Sequence, residues 1–191
     1  MKLSTRILGT AAAVSLASSL LFGAVYDVDP THSTVGFKVR HMMISNVNGR
    51  FADFSGSYDL EGTLLKSFTG SVKTASVDTG IVKRDDHLKS ADFFNAAKYP
   101  DITFTMTKYD GETITGELTL HGVTRSVTFD AEVSGTIKDP WGMTRSSVIL
   151  AGRIKRSDFG LTYNQVLEAG GVAVGDDVKL TIELEGIAKP L

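Results

Sequence analysis

Residues Ile102–Val133 read ITFTMTKYDGETITGELTLHGVTRSVTFDAEV. Ile102, Phe104 and Met106 alternate with Thr103, Thr105 and Thr107; Ile114, Gly116, Leu118 and Leu120 alternate with Thr115, Glu117 and Thr119. Val127, Phe129, Ala131 and Val133 then alternate with Ser126, Thr128, Asp130 and Glu132. A period of two puts the apolar set on one face of a pleated strand and the polar set on the other. Asp110-Gly111 between the first two runs is a hairpin signal, because both residues tolerate the positive φ that tight turns need. Antiparallel strands with one dry face and one wet face predict an all-β fold around a single core.

The same pattern extends in both directions. Upstream, Val35, Phe37, Val39 and His41 oppose Thr34, Gly36, Lys38 and Arg40. Ala52, Phe54, Gly56, Tyr58 and Leu60 form a second run, with a turn expected at Asp59–Gly62, and Phe68, Gly70 and Val72 form a third. Downstream lie Val148, Leu150, Gly152 and Ile154, then Leu180, Ile182 and Leu184. Eight such runs fit a closed antiparallel barrel or a two-sheet sandwich, and the barrel is preferred because closure leaves no unpaired edge. The inward positions mix phenylalanines with Gly56, Gly70, Gly116 and Gly152. A barrel of this size is either filled by its side chains or holds one ligand. Inward glycines therefore allow an elongated channel, although a solid interdigitated core has the same composition.

The chain has 191 residues, 42% hydrophobic and 22% charged, and no cysteine. That suits a single globular domain. Lys2 and Arg6 precede an apolar stretch, Ile7–Phe22, that contains no acidic residue. This predicts an export signal over residues 1–24, although Phe22 is bulky for a cleavage site. The remaining part, 25–191, keeps 18 cations against 22 anions, a net of −4. No basic cluster for a nucleic-acid backbone is evident in the sequence, so no nucleic-acid partner is expected. A periplasmic or secreted location follows from the export signal, and without disulfides the fold must rest on its core.

One segment breaks the strand pattern: Arg84–Phe104, RDDHLKSADFFNAAKYPDITF. Helical spacing over its first part aligns Arg84, His87, Ala91 and Phe94 on one face. Pro100 ends the insert before strand pattern resumes. The four histidines, His32, His41, His87 and His121, match no compact metal-ligand spacing, and no metal is expected. GxSxG, GxxxxGK[ST] and GxGxxG are absent from the sequence. His41 ends an inward face, so it belongs at one end of the interior; a backbone-bonded core histidine is the plainer use. With the insert folded over that end, His41, Arg84 and His87 would offer donors to a phosphate, carboxamide or quinone oxygen. Arg84 has the alternative of a surface ion pair with Asp85, Asp86 or Asp92, and Phe93-Phe94 the alternative of anchoring the insert.

The motifs carry a resemblance. His32-Ser33, Gly36-Phe37, Val39, His41, Gly49-x-Phe51, Arg84-x-x-His87-Leu88, Asp92-Phe93-Phe94 and Tyr99-Pro100-x-Ile102-x-Phe104 occur in this order. Leu118–Thr124 (LTLHGVT) and Arg156-x-Asp158-Phe159-Gly160 follow. In these the chain resembles the YceI-like family over about Tyr26 to Ile187. The resemblance implies an eight-stranded, lipocalin-like antiparallel barrel with a short helical insert, often a homodimer. It implies a non-enzymatic role: binding, sequestering or transporting a polyisoprenoid or similar long-chain amphiphile, quinone-like or fatty-amide lipids included, without a cofactor. The channel would then be lined by Phe37, Val39, Phe54, Phe68, Phe104, Met106, Leu118 and Phe129, with His41, Arg84, His87 and Asp92 at the head group. The alternative is an enzyme acting on such a lipid through a histidine or metal site at the barrel mouth.

Overall fold

The computed structural model describes residues 23–190. The expected export segment therefore lies outside the described residues, apart from Gly23 and Ala24.

Each alternating run forms a strand. In chain order the strands are β1 (Ala24–Val28), β2 (Thr34–His41), β3 (Ser45–Phe51), β4 (Phe54–Glu61), β5 (Leu64–Lys73) and β6 (Val77–Asp78). After the helix α1 (Val82–Lys89) come β7 (Asp101–Tyr109), β8 (Thr113–Leu120), β9 (Val123–Val133), β10 (Ile137–Lys138), β11 (Thr144–Lys155) and β12 (Val174–Ala188). Eight of them, β1, β4, β5, β7, β8, β9, β11 and β12, close into an antiparallel barrel through the pairing of β11 with β12. The expected all-β barrel with one short helix is the observed fold. The Asp110-Gly111 hairpin also forms: the Asp110 carboxylate accepts from the Glu112 and Thr113 amides at 3.1 and 2.7 Å, and Gly111 takes φ 102.

Membership of the barrel differs from expectation at one stave. The run Val35–His41 is β2, and it lies outside the closed ring; the short β1 fills that place. The long β12 explains the exchange. One of its edges pairs with β11 along nearly its whole length, while the other pairs with β1 near Gly186–Ala188 and with β2 over Val174–Glu183. Between β1 and β2 the chain kinks at Asp29-Pro30, since proline cannot donate to a ladder. Beyond the kink, β2, β3 and β6 form a ribbon that extends the wall. β4 pairs with β1 only from Ser57 to Leu60, so Phe54–Gly56, paired with β5 on one edge, have no ladder partner on the other among the described residues.

The kink is held by charge. Asp29 accepts from the Thr31 amide and from His32, and Arg145 reaches Asp29 at 3.0 Å, Asp139 at 2.8 Å and Glu185. The His32 hydrogen bond, assisted by Arg145, holds the Asp29 carboxyl well below the usual carboxylate range. Nearby the barrel interior is shut. Tyr58 is 1% exposed, stacks on Tyr26 at 5.2 Å, and donates its hydroxyl to the Ser146 carbonyl at 3.0 Å.

The inward glycines have a specific use. A Cβ on Gly116 would strike the ring of Phe104, one on Gly152 the ring of Phe129, and one on Gly49 the ring of Phe37. Each phenylalanine ring thus occupies the space beside a glycine on the neighbouring strand. The volume these glycines release is taken by the rings, and a cavity remains inside the barrel.

Candidate functional site

The interior beside the insert is an apolar cavity of about 180 Å³. Of the residues expected to line a channel, Phe37, Val39, Phe54, Phe68, Phe104, Leu118 and Phe129 do face it. Met106 does not; it packs against the core, next to the bulge that shifts the β7–β8 register after it. Leu88, Phe93 and Phe94 of the insert complete the wall. Among the described residues, the polar ones that contribute are Ser55, Ser71, Thr103 and Arg156.

The insert is built to present those aromatic rings. Asp85, buried in the first turn of α1, accepts from the Thr79 amide at 2.9 Å and from its hydroxyl. Arg84 donates to the Thr79 hydroxyl at 2.7 Å and to its carbonyl at 2.8 Å. The two side chains clasp Thr79 and fix the helix to β6. The helix ends at Lys89, so Ala91 and Phe94 do not continue the helical face of Arg84 and His87 expected from their spacing. The chain instead turns through Asn95, whose φ of 48 is one asparagine tolerates, and carries Phe93 and Phe94 back over the barrel. Phe94 meets Phe51 at 5.8 Å, and Phe51 meets Phe37 at 5.7 Å.

A second segment, residues 161–173, lies beside the insert. Arg156 borders the cavity but donates to the carbonyls of Leu161, Gly175 (3.0 Å) and Val174, and burial pushes its pKa down. Asn164 exchanges hydrogen bonds with the backbone of Val174 at 2.7 and 3.0 Å. The segment then places Tyr163 4.9 Å from Phe93 and 5.1 Å from His87, ring to ring. Insert and loop therefore meet in an aromatic trio over the cavity.

The four residues expected at a head group are not gathered at this cavity. His41 is half-buried at the end of β2, opposite Ser45 and Val174. Arg84 is turned to Thr79. His87 and Asp92 are paired at 2.9 Å on the outer side of the trio. None of the four faces the cavity. Among the other histidines, His32 lies near Asp29 and Glu185 in metal-like proximity, yet both carboxylates are engaged by Arg145. Sequence reasoning missed Arg156 and Tyr163, although Arg156 stands in one of the quoted motifs and, two residues after the inward Ile154, falls on the inward face of the same alternation.

Comparison with known proteins agrees with this architecture. The YceI-like domain family matches residues 26–186. UPF0312 protein plu2095 of Photorhabdus laumondii is 38% identical over 186 residues, covering 93% of this chain and 94% of that one. The crystal structure of the Campylobacter jejuni YceI protein is similar with a TM-score of 0.68 and 35% identity, over 96% of this chain and all of the other. A polyisoprenoid binding domain from Saccharophagus degradans shares the fold with a TM-score of 0.65 at 22% identity, over 87% of this chain and 99% of that one. A barrel with an aromatic insert at the open end, matched to these proteins along nearly its whole described length, places this chain in the YceI-like family.

Proposed function

We propose that the protein binds and holds a long-chain apolar lipid, a polyisoprenoid or similar amphiphile, inside the barrel. The observation that carries this reading is the cavity itself, walled by aromatic and aliphatic side chains from strands all round the barrel and by the insert. Burial of a chain there gains on the order of 25 cal/mol per Å² of apolar surface, so affinity needs no special polar contact. The polyisoprenoid binding domain of Saccharophagus degradans supports the ligand class through its shared fold. The walls bring no carboxylate or histidine to the cavity among the described residues, which favours storage or carriage over turnover. With the export-type start at residues 1–24, the reading puts this reservoir in the periplasm or outside the cell, as a homodimer.

Native mass spectrometry of protein purified without detergent, followed by organic extraction, tests the binding. A lipid mass, or uptake of added polyprenol or ubiquinone, is expected. Protein that carries no lipid and takes up neither would end the proposal. Turnover of an added lipid, lost in His87→Ala while retention persists, would support the enzymatic alternative instead.

A further inference from the structure

The outer face of the barrel is electrically divided along its strands. Near the kinked end, one cross-strand row reads Glu132, Ile149, Glu183 and Thr34 from β9 to β2. Four residues nearer the insert end, the pairing sets Arg153 opposite Lys179 and Lys179 opposite Lys38. All three side chains are exposed, and no carboxylate lies within ion-pair distance of any of them among the described residues. Like charges directly opposite one another destabilise a sheet, so this ladder does not serve the fold. It continues toward the end through Arg40 on β2 and Lys155 on β11, and Arg125 and Arg153 share a surface groove with Lys155. Against these cations stand Asp177, which pairs with Lys155 at 3.4 Å, Asp158, Asp176, which accepts from Ser157, and the exposed Glu168 of the 161–173 loop, so cations remain in excess.

The end they lead to is apolar. The β2–β3 turn exposes Met42, Met43 and Ile44, the last 79% exposed. Met42 and Met43 both take left-handed backbone, φ 47 and 63, where asparagine or glycine would be unstrained. The turn is joined to the 161–173 loop by a hydrogen bond from the Met42 amide to the Ala173 carbonyl at 2.8 Å, with Met43 packed on Gly171. That loop adds Val166, 86% exposed. Even with Met43 resting on Gly171, the turn spends its two left-handed central positions on methionines that stay about half exposed.

We infer that this end docks on the surface of an anionic phospholipid bilayer. The Arg153–Lys179–Lys38 ladder and its basic neighbours would meet the head groups, and Met42, Met43, Ile44 and Val166 would enter the interface. Charge complementarity selects this occupant: the described chain is acidic overall, yet Lys38, Arg40, Arg125, Arg153, Lys155 and Lys179 lie together on the strands that lead to an apolar tip, the combination that peripheral membrane binding uses. Docking would bring the aromatic trio at the cavity against the lipid surface.

Flotation with vesicles of pure phosphatidylcholine and of equal parts phosphatidylcholine and phosphatidylglycerol tests this, with circular dichroism confirming the fold of each variant. Binding is expected only to the anionic vesicles, and raised salt should release it. Reversing Lys38, Lys179 and Arg153 to Glu should weaken partition at least tenfold, on the order expected for loss and inversion of three surface cations. Replacing Met42, Met43 and Ile44 by Ser should weaken it separately, while Glu132→Lys should leave it intact or stronger. Equal binding to neutral vesicles, no binding to either, or unchanged binding in the triple charge reversal would overturn the inference. Capture of an acidic protein in place of vesicles would do so too. Retention of a lipid mass by the same variants is read separately, so failure of docking and failure of cavity binding are distinguishable.

Discussion

The two ends of this barrel are built from different chemistry. At the kinked end, Tyr58 is bonded to Ser146, Tyr26 stacks on it, and Arg145 gathers three carboxylates. At the insert end, closure rests on ring-to-ring contacts among His87, Phe93 and Tyr163 and along Phe37, Phe51 and Phe94. Directional hydrogen bonds between buried partners make the first end costly to open. Aromatic contacts contribute about 0.5–1.5 kcal/mol each beyond area burial and can re-form after a ring swings aside, so the second end is the one able to admit a ligand. The contrast teaches that the barrel is a cup with a fixed floor and a separable cover.

Substitutions can break that contrast, from floor to cover. Tyr58→Ala removes a fully buried aromatic group and orphans the Ser146 carbonyl, and should cost about 3–5 kcal/mol in urea denaturation; a loss near zero would show that the floor is not load-carrying in the way described. Gly152→Ala pushes the Phe129 ring toward the cavity. It should cost about 1–3 kcal/mol and reduce the amount of extractable lipid, whereas unchanged lipid content would argue that the cavity has slack. Tyr163→Ala should cost no more than about 1 kcal/mol in stability, yet speed exchange of bound lipid measured by transfer to acceptor vesicles.

Asp29→Asn should lower stability by an amount that is full at neutral pH and shrinks on the acid side. The Asp29 carboxyl is held below its unfolded value, so its contribution is complete above that value, near ~3.9, and fades as pH falls toward the folded one. Thermal melts of the Asn variant should therefore lose less stability than the native chain between about pH 5 and pH 2. Parallel acid profiles for the two proteins would show that the kink is not stabilised through this carboxylate.

Much of the barrel was legible because alternation is a local property. Phe104, Leu118 and Phe129 are inward because the pleat makes them so, whatever lies across the sheet. Position in the ring was harder to see. β1 has five residues and abuts the expected export segment, and its claim to the eighth stave comes from pairing with β4 and β12, far away in sequence. The head-group residues illustrate the same limit. Arg84, His87 and Asp92 share one short insert, but Arg84 is taken by Thr79 and His87 by Asp92, contacts decided by where the helix stops. Arg156 and Tyr163 emerged only from the fold, because what matters about them is which carbonyls and rings they meet.

By itself, then, the sequence determined the strand pattern, the hairpin at Asp110-Gly111, the apolar interior and the family. Each depends on neighbours along the chain or on motifs in linear order. Tertiary structure alone decided which strand closes the barrel, that glycines seat aromatic rings, and which end is fixed and which is covered. Three cations scattered at Lys38, Arg153 and Lys179 became one row only through strand register. Those properties depend on pairs of residues far apart in sequence, and such pairs leave no mark on a single chain until it folds.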